Sequence, residues 1–446
     1  MKRGLGSLAA LLLVSSVHAN VIDVPSETTL LQAAINAAVA GDTVRVAAGT
    51  YDSLFYPPGS DTTRCVAYMK SGITLLGAGI GQTIIDGMGQ GRGIFCLNVA
   101  SGRIEGFTIR NSFAENHGAG IYCYQNSSPT IRSCEVTECG DGGIICRFGS
   151  SPSIEYSEIT DNVYKLGGGM LIEAASSPQI VHTLIRGNSA PAVGGVLIKD
   201  GSAPSFEDCT IDSNYVTDFN ASAGGVSITT ASATFNRCSI TRNRANGSGG
   251  GLDIRDESTV VIDSCVIADN ATTDDFGPGG GIYCELSDLS LTNSEIARNS
   301  APGTDGLSDG GGLFLFVADE TYVAQITGCT FAENASKTGG LGGGIYLQFA
   351  NPTIQRTIIA ANENGAGLYC DAGSTPSVGC TDIWGNDGAD AVCGNDLGGN
   401  FSADPLFCAF PSGDYTLQAA SPCLPGQHPN GASCGLIGAY GLGPCN

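Results

Sequence analysis

The stretch GPGGGIYC at residues 277–284 places three consecutive glycines directly before an aliphatic residue. By itself such a loop fits either a phosphate-binding loop or a structural turn that leads into a β-strand. A Gly-rich turn before an aliphatic residue recurs along the chain, at intervals of 23 to 32 residues between the aliphatic positions. These positions are Ile121, Ile144, Met170, Val196, Val226, Leu252, Ile282, Leu313, Ile345 and Leu368. A phosphate loop does not recur in this way, whereas a turn in a stacked repeat does, so the sequence predicts a solenoid.

A second motif follows the glycine turns and reads apolar-x-x-Cys/Ser/Thr-x-Ile-x-x-Asn, as in FEDCTIDSN (206–214) and IDSCVIADN (262–270). Each repeat therefore holds at least two short stretches of alternating polarity, with no amphipathic helical run between them. This predicts an all-β chain, a single right-handed parallel β-helix of about 12 coils with an N-terminal helical cap and a Cys-rich C-terminal cap. A leucine-rich repeat is the alternative, but a helix or a second leucine ladder would then follow the Asn.

The alternation within each strand assigns side chains to columns. In the opening stretch, Ile282 and Cys284 point into the core and Tyr283 points outward. The asparagines of the second motif should form an amide ladder along one turn. They are Asn162, Asn188, Asn214, Asn243, Asn270, Asn299, Asn334, Asn362 and Asn386.

Two groups stand out among the 18 cysteines of the chain. Two columns hold three cysteines each, and we expect buried thiol stacks there, because parallel side-chain directions disfavour disulfide geometry. The columns are Cys96, Cys123 and Cys146, and Cys209, Cys238 and Cys265. Seven further cysteines in the last 77 residues predict an end stapled by disulfides, whose pairing the sequence leaves open.

The sequence divides into four segments. Residues 1–19 are typical of a Sec signal peptide cleaved after Ala19, so we expect a secreted or periplasmic protein. Residues 20–70 form the N-terminal cap, residues 71–392 the coils, and residues 393–446 the Cys-rich cap. One face of the predicted cap helix carries Leu30, Leu31, Ala34, Ile35, Ala38 and Val39.

A formal net charge of −23 limits the partners of this chain. Such a surface opposes binding to nucleic acid and to anionic membranes, and a polyuronate would need a bridging divalent cation. Beyond the leader, no apolar stretch approaches the roughly 18–20 residues of a membrane span. We therefore expect a monomer without a nucleic-acid partner or a membrane span. The stretch GAGIG (77–81) precedes a predicted strand and not a helix, which excludes a dinucleotide-binding fingerprint.

Several stretches outside the repeats also carry information on the family. QAAINAA (32–38), GDTVRVAAGTY (41–51), SGITLLGAG (71–79) and TIIDG (83–87) stand before the regular coils. Together with the glycine turns they resemble exported bacterial right-handed β-helix proteins of the pectate-lyase-like superfamily. The closing segment also resembles that of such proteins, but residues 436–441 lack the two acidic residues of the family pattern. The resemblance implies the fold and leaves the function open.

The outward positions of the strand that follows each glycine turn are the candidate ligand-binding residues. Aromatic rings would stack on sugar faces there, and charged groups would hydrogen-bond sugar hydroxyls. The candidates are Tyr122, Tyr124, Glu173, Lys199, Tyr283, Phe314, Phe316, Tyr346 and Tyr369. They favour a glycan-binding or cell-surface interaction module, with a polysaccharide or cell-surface glycan as partner. The alternative is a purely structural rod, in which the tyrosines reflect β-propensity alone.

The resemblance adds a catalytic alternative, a Ca²⁺-dependent polysaccharide lyase acting by β-elimination on a uronic-acid polysaccharide. Such an enzyme needs a base, usually Arg or Lys, beside a Ca²⁺ ion that neutralises the substrate carboxylate. Arg255, with Asp253 and Glu285, is the best candidate for the catalytic cluster. Asp274 and Asp275 are the candidate ligands for Ca²⁺, the one cofactor that this alternative requires.

Overall fold

The computed structural model describes residues 19–445, except 26–30, 60–61, 115–117, 220, 274–276, 304–307 and 319–320. Residues 1–18 of the predicted signal peptide and Leu30 of the predicted cap helix lie outside the described residues. The described residues form a parallel β-helix, as predicted. Each coil contributes one short strand to each of three long sheets, and strands pair with their counterparts in the coils before and after.

The three sheets are named here by their size within the described residues. The 15-stranded sheet contains Val21–Val24, Thr43–Val46, Thr74–Leu76, Arg103–Glu105, Thr130–Arg132, Ser153–Glu155, Gln179–Val181, Ser205–Glu207, Ser232–Asn236, Thr259–Asp263, Asp288–Thr292, Ala324–Thr327, Thr353–Gln355, Ser377–Gly379 and Asn395–Gly398. The 12-stranded sheet contains Cys65–Tyr68, Arg92–Leu97, Ile121–Tyr124, Ile144–Arg147, Met170–Glu173, Val196–Lys199, Val226–Thr229, Leu252–Arg255, Ile282–Glu285, Leu313–Phe316, Gly342–Gln348 and Ala366–Cys370. The 13-stranded sheet contains Gly49–Tyr51, Thr83–Asp86, Thr108–Arg110, Glu135–Thr137, Glu158–Thr160, Leu184–Arg186, Thr210–Asp212, Ser239–Thr241, Val266–Ala268, Glu295–Ala297, Thr330–Ala332, Ile358–Ala360 and Asp382–Trp384.

Smaller elements complete the described part of the chain. A short parallel sheet contains Ser189–Ala190, Tyr215–Val216, Arg244–Ala245 and Ala271–Thr272. The antiparallel strands Phe407–Ala409 and Asp414–Leu417 flank a 3-10 turn at Phe410–Ser412. The α-helix is Leu31–Ala37, and no helix of the described residues has the length and apolarity needed to cross a membrane.

The glycines of GPGGGIYC are structural. Gly279 has φ +68, a left-handed backbone that favours glycine. A Cβ atom on Gly280 would lie 2.5 Å from the backbone of Ser300, and one on Gly281 would lie 2.6 Å from the oxygen of Gly312. Glycine is therefore required here because neighbouring coils approach each other closely at this turn.

The core is a set of aliphatic columns along the axis of the β-helix. Ile282 is in register with Leu313, and Cys284 with Leu315, so inward side chains stack on inward side chains of the next coil. These four side chains have no solvent exposure. The inward assignment of Ile282 and Cys284 is therefore confirmed.

The predicted asparagine ladder is present from Asn162 to Asn386. In each step, Nδ2 donates to Oδ1 of the asparagine one coil further along, at 2.8 to 3.0 Å. The second Nδ2 hydrogen reaches a backbone carbonyl of the preceding coil, as between Asn270 and the oxygen of Ile240 at 2.8 Å. The ladder satisfies amide groups that would otherwise be buried without partners.

A second ladder, of serine hydroxyls, was missed by the sequence reasoning. The backbone N–H groups of Ser127, Ser150 and Ser176 each donate to the Oγ atom of the serine one coil further along, ending at Ser202, at 3.1 to 3.2 Å. The signal was available, because a serine stands three residues after the outward strand in each of these coils.

The cysteines divide into buried free thiols and C-terminal disulfides, as the sequence predicted. Twelve are unpaired and buried, and both predicted columns are among them. Three disulfides join Cys370 to Cys393, Cys380 to Cys434, and Cys408 to Cys445. Of the seven C-terminal cysteines, Cys423 is the one without a disulfide partner.

The N-terminal helix covers the first coil with Leu31, Ala34 and Ile35, and Ala38 is buried just beyond it. The prediction was wrong for Val39, which is 55% exposed. The helix ends at Ala37, so the chain has already turned away at Val39.

The C-terminal segment folds back along the side of the β-helix. Its residues Tyr415 and Ile437 are buried against Ala297, Ala332 and Ala360, which stand on the outer face of the 13-stranded sheet. The hydroxyl of Tyr415 donates to Oε2 of Glu333 at 2.6 Å and accepts from Nη1 of Arg298 at 2.8 Å. The small alanines in the last coils leave room for this segment.

Candidate functional site

The outer face of the 12-stranded sheet carries two outward columns of side chains. The first column passes through Tyr122, Ile145, Leu171, Leu197, Ser227, Asp253, Tyr283, Phe314, Tyr346 and Tyr369. The second column passes through Tyr124, Arg147, Glu173, Lys199, Thr229, Arg255, Glu285, Phe316, Gln348 and Asp371. Both columns were predicted to point outward, away from the core.

The direction agrees with the register of the strands, but much of the first column is buried. Tyr122 and Phe314 are each only 3% exposed. Around Tyr122, loop residues such as Tyr164, Val193 and Ala223 pack on the sheet and form a second apolar cluster outside the main core. The burial raises the pKa of Tyr122 to about 12. Tyr122 therefore serves the packing of these loops.

An aromatic cluster stands at the N-terminal end of this face, formed by Tyr68, Phe95, Tyr122, Tyr124 and Phe148. Its consecutive ring centroids lie 5.2 to 5.7 Å apart. Phe148 is 46% exposed, whereas Phe95 is 1% exposed. We call this the N-terminal aromatic cluster.

The sequence reasoning missed three members of this cluster, Tyr68, Phe95 and Phe148. The coils of Tyr68 and Phe95 lack the Gly-Gly turn, and Phe148 lies one residue past the end of its strand. The motif therefore did not mark these three residues. The thiol column offered a signal, since Cys96 aligns with Cys123 and this places Phe95 beside Tyr122.

A second aromatic set lies at the C-terminal end, where Tyr283, Phe314, Tyr346 and Tyr369 stack in consecutive coils. Their centroids are 5.4, 4.9 and 5.2 Å apart, with interplanar angles of 12 to 22°. Tyr283, Tyr346 and Tyr369 are half-buried, in contrast to Phe314. We call these four rings the C-terminal aromatic ladder.

Phe316 extends this end of the face toward the 15-stranded sheet. Its ring meets that of Phe349 edge to face at 6.3 Å, and Phe349 is 52% exposed. Beside Phe349 opens a cavity of about 450 Å³, lined among others by Leu315, Tyr322 and Pro352. Aromatic surface is thus accessible at this end of the face.

Between the aromatic sets, charged residues form ion pairs within the face. Glu173, which is 4% exposed, pairs with Arg147 and accepts from Nζ of Lys199 at 2.9 Å. Burial disfavours the charge of Lys199, but the contact with Glu173 outweighs this and raises its pKa. Glu173 thus holds two cations from neighbouring coils.

The structure brings Asp253, Arg255 and Glu285 into one cluster. Arg255 Nε donates to Oδ2 of Asp253 at 2.9 Å, and its Nη1 donates to Oε2 of Glu285 at 2.6 Å. The same Glu285 oxygen accepts from the hydroxyl of Tyr283 at 3.1 Å, and the guanidinium carbon lies 4.4 Å from the centre of the Tyr283 ring. Ser248 completes the cluster by donating to Oδ1 of Asp253 at 3.0 Å.

The surroundings of Asp253 and Arg255 shift the pKa values of both groups. Burial raises the pKa of Asp253, against the effect of Arg255. Burial also disfavours the charge on Arg255, but Asp253 and Glu285 outweigh it and raise the pKa of the guanidinium. Arg255 therefore stays protonated, which opposes a role as the base of a lyase.

The predicted Ca²⁺ ligands Asp274 and Asp275 lie outside the described residues. Among the residues that the structure does describe, no group of three or more His, Cys, Asp or Glu side chains could hold a metal ion.

The sequence matches the model of one protein family over two overlapping segments. Residues 71–222 and 216–401 match the model of the family described as right handed beta helix region. No curated protein matches the sequence.

Among solved structures, a pectate lyase is 14% identical, with 92% of this chain and 90% of that chain covered and a TM-score of 0.44. The A-module of a mannuronan C-5 epimerase from Azotobacter vinelandii is 15% identical, with 84% and 94% covered and a TM-score of 0.47. A PL6 family alginate lyase is 13% identical, with 87% and 54% covered and a TM-score of 0.49. At these identities the likeness concerns the fold alone. With its glycine turns, its three parallel sheets and a family match over most of its length, the chain belongs to the right-handed β-helix family.

Proposed function

We propose that the protein is a glycan-binding or surface-interaction module, and that an extended glycan lies along the outer face of the 12-stranded sheet. The observation that carries this proposal is the C-terminal aromatic ladder, with three half-buried rings in register over four coils. A wholly structural role would be served as well by aliphatic side chains at these positions.

Stacked rings suit a sugar ligand for a physical reason. The C–H groups on the face of a pyranose are apolar and slightly positive, and the face of an aromatic ring is slightly negative. Tyr346 and Tyr369 keep part of their rings in contact with solvent. Sugar rings can therefore pack on this edge of the ladder, next to Phe316 and Phe349.

Polar groups of the second column would fix the orientation of the ligand. Thr229, Glu285 and Gln348 are half-buried and stand between or beside the aromatic sets. Hydrogen bonds from sugar hydroxyls to a carboxylate such as that of Glu285 are stronger than those between neutral groups. The catalytic alternative has less support, because Arg255 is held protonated by two carboxylates.

We propose further that the protein works as a monomer in an oxidising compartment, secreted or periplasmic. The three disulfides in its C-terminal part support this location, since such bonds persist where thiols are not kept reduced.

Binding of the exported protein to a panel of oligosaccharides, followed by calorimetry on the best ligand, tests the proposed function. Tyr346→Ala and Tyr369→Ala should each weaken binding by about tenfold, since each removes one stacking surface. Tyr156→Ala is the matched control, because Tyr156 is 50% exposed and stacks on His182 away from this face. No binding to any glycan, or an equal loss in the control, would overturn the proposal.

A further inference from the structure

We infer that the glycan bound on this face is uncharged, with neutral sugar units long enough to reach from one aromatic set to the other. This inference rests on the proposed function and specifies its ligand. It follows from the way in which the charges of the face are already paired.

The second column contains three cations, Arg147, Lys199 and Arg255. Arg147 and Lys199 both pair with the buried carboxylate of Glu173. Arg255 pairs with Asp253 at 2.9 Å and with Glu285 at 2.6 Å. Each cation of this column is therefore held by at least one carboxylate from the same face.

The carboxylates of the face have partners as well. Glu173, Asp253 and Glu285 are the partners just named. The remaining carboxylate of the column, Asp371, accepts from the backbone N–H groups of Phe349 at 3.1 Å and Gly373 at 3.0 Å, and from the hydroxyl of Ser374 at 2.7 Å. Its charge is thus used to hold the adjoining turn.

A negatively charged sugar would have to compete for a cation that is already paired. A uronate carboxylate would need a cation of its own, and taking Arg255 would leave Asp253, which is 1% exposed, without its cation. An unpaired buried carboxylate is strongly unfavourable. The net charge of −23 also repels a polyanion before contact is made. A neutral hydroxyl, in contrast, can share the outer oxygen atoms of Glu285 without breaking an ion pair.

The two aromatic sets lie far apart along the face. Tyr124, in the N-terminal aromatic cluster, belongs to the third strand of the 12-stranded sheet, and Phe316 to the tenth. Seven strand spacings correspond to about 34 Å. Only an extended chain of several sugar units can contact both aromatic sets, and such a chain crosses the paired charges between them.

The test compares matched β-1,4-linked hexasaccharides: neutral ones of glucose, mannose and xylose, acidic ones of glucuronate and mannuronate, and a cationic one of glucosamine. We expect one neutral probe to bind at least about tenfold more tightly than either acidic probe, with and without Ca²⁺. Its affinity should change by less than about twofold between low and high salt, because no net charge is paired on binding. The corresponding trisaccharide should bind more weakly, since it cannot reach both aromatic sets.

The outcomes separate the two proposals. If an acidic or the glucosamine probe binds as tightly as the neutral one, and Tyr346→Ala weakens that binding, the ligand is charged. The inference is then overturned while the proposed function stands. If none of the probes binds in a manner that depends on Tyr346, the proposed function itself fails.

A variant of Glu285 tests the same inference by removing one partner of a paired cation. Glu285→Gln removes one of the two carboxylates that hold Arg255, while Glu285 is half-buried, so the substitution should be tolerated. We expect the ratio of mannuronate affinity to neutral affinity to rise by about fivefold, because Nη1 of Arg255 becomes available to the ligand. An unchanged ratio would contradict the role given to the ion pair.

Discussion

Nη1 of Arg255 donates to Oε2 of Glu285 at 2.6 Å, which joins two neighbouring coils on the outer face of the 12-stranded sheet. The same guanidinium holds Asp253, whose carboxylate is buried. Arg255 is thus the link between a buried anion and a half-exposed one, and we expect its replacement to affect the stability of the face.

Replacing Arg255 should destabilise the protein strongly. Arg255→Ala leaves the Asp253 carboxylate buried without a cation, and we expect a loss of about 3 kcal/mol in the free energy of unfolding at neutral pH. Urea unfolding followed by circular dichroism measures it. The double variant Arg255→Ala, Asp253→Asn should recover at least half of the loss, since the orphaned charge is then removed. A double variant as unstable as the single one would contradict this explanation.

Interrupting the asparagine ladder should also destabilise the fold. Asn270 donates to Asn299 and to the oxygen of Ile240, and its own Oδ1 accepts from Asn243, so Asn270→Ala leaves several buried polar groups without partners. We expect a loss of about 3 kcal/mol in urea unfolding. Asn430→Ala, at an exposed position of the C-terminal segment, is the control and should change little.

The unpaired cysteines should be unreactive in the folded protein. Burial raises the pKa of the Cys134 thiol to about 12 and that of Cys139 to about 11, so neither forms a thiolate near neutral pH. Because all 12 free cysteines are buried, a thiol-specific dye should label none of them in the native protein, and all 12 after unfolding without reductant. Intact mass should show three disulfides. Further disulfides within the thiol columns, seen as a lower mass, would refute the assignment.

Stability should depend on pH through Asp382. Burial raises the pKa of this carboxyl from 3.8 to about 7, and its Oδ2 accepts from the thiol of Cys423 at 3.3 Å. Because the folded state holds this proton more tightly than the unfolded chain, the contribution is complete below the unfolded pKa and is lost as pH rises through about 7.

Asp382→Asn isolates this effect. The wild-type protein should lose roughly 4 kcal/mol at most relative to the variant between about pH 4 and pH 8, which is the free energy of the full pKa difference. Urea unfolding across this range measures the difference between the two curves. The exposed loop variant Asp218→Asn is the control and should run parallel to the wild type. Parallel curves for Asp382→Asn as well would show that the carboxyl is not held protonated.

The sequence predicted the elements that repeat. The glycine turn and the Asn motif return once per coil, so the β-helix, the inward position of Ile282 and the Asn162 to Asn386 ladder could be read without a structure. The serine ladder was equally periodic and was overlooked, as was the continuation of the aromatic face to Phe95.

The candidate site was predicted less well, because exposure does not follow from alternation alone. An outward side chain is exposed only if nothing packs on it, and loop residues such as Tyr164 and Val193 cover the sheet around Tyr122. The sequence motif is the same at Tyr122 and at Tyr369, yet one is buried and the other is half-buried.

For this protein the sequence by itself determined the fold and the direction of each repeated side chain, since both depend on local spacing that the chain repeats in each coil. The tertiary structure alone decided which outward side chains are covered, which charges are paired, and where the C-terminal segment lies. These depend on contacts between residues far apart in the chain, such as Tyr415 and Glu333, which are 82 positions apart. Each such contact occurs only once in the chain, so no repeated motif in the sequence indicates it.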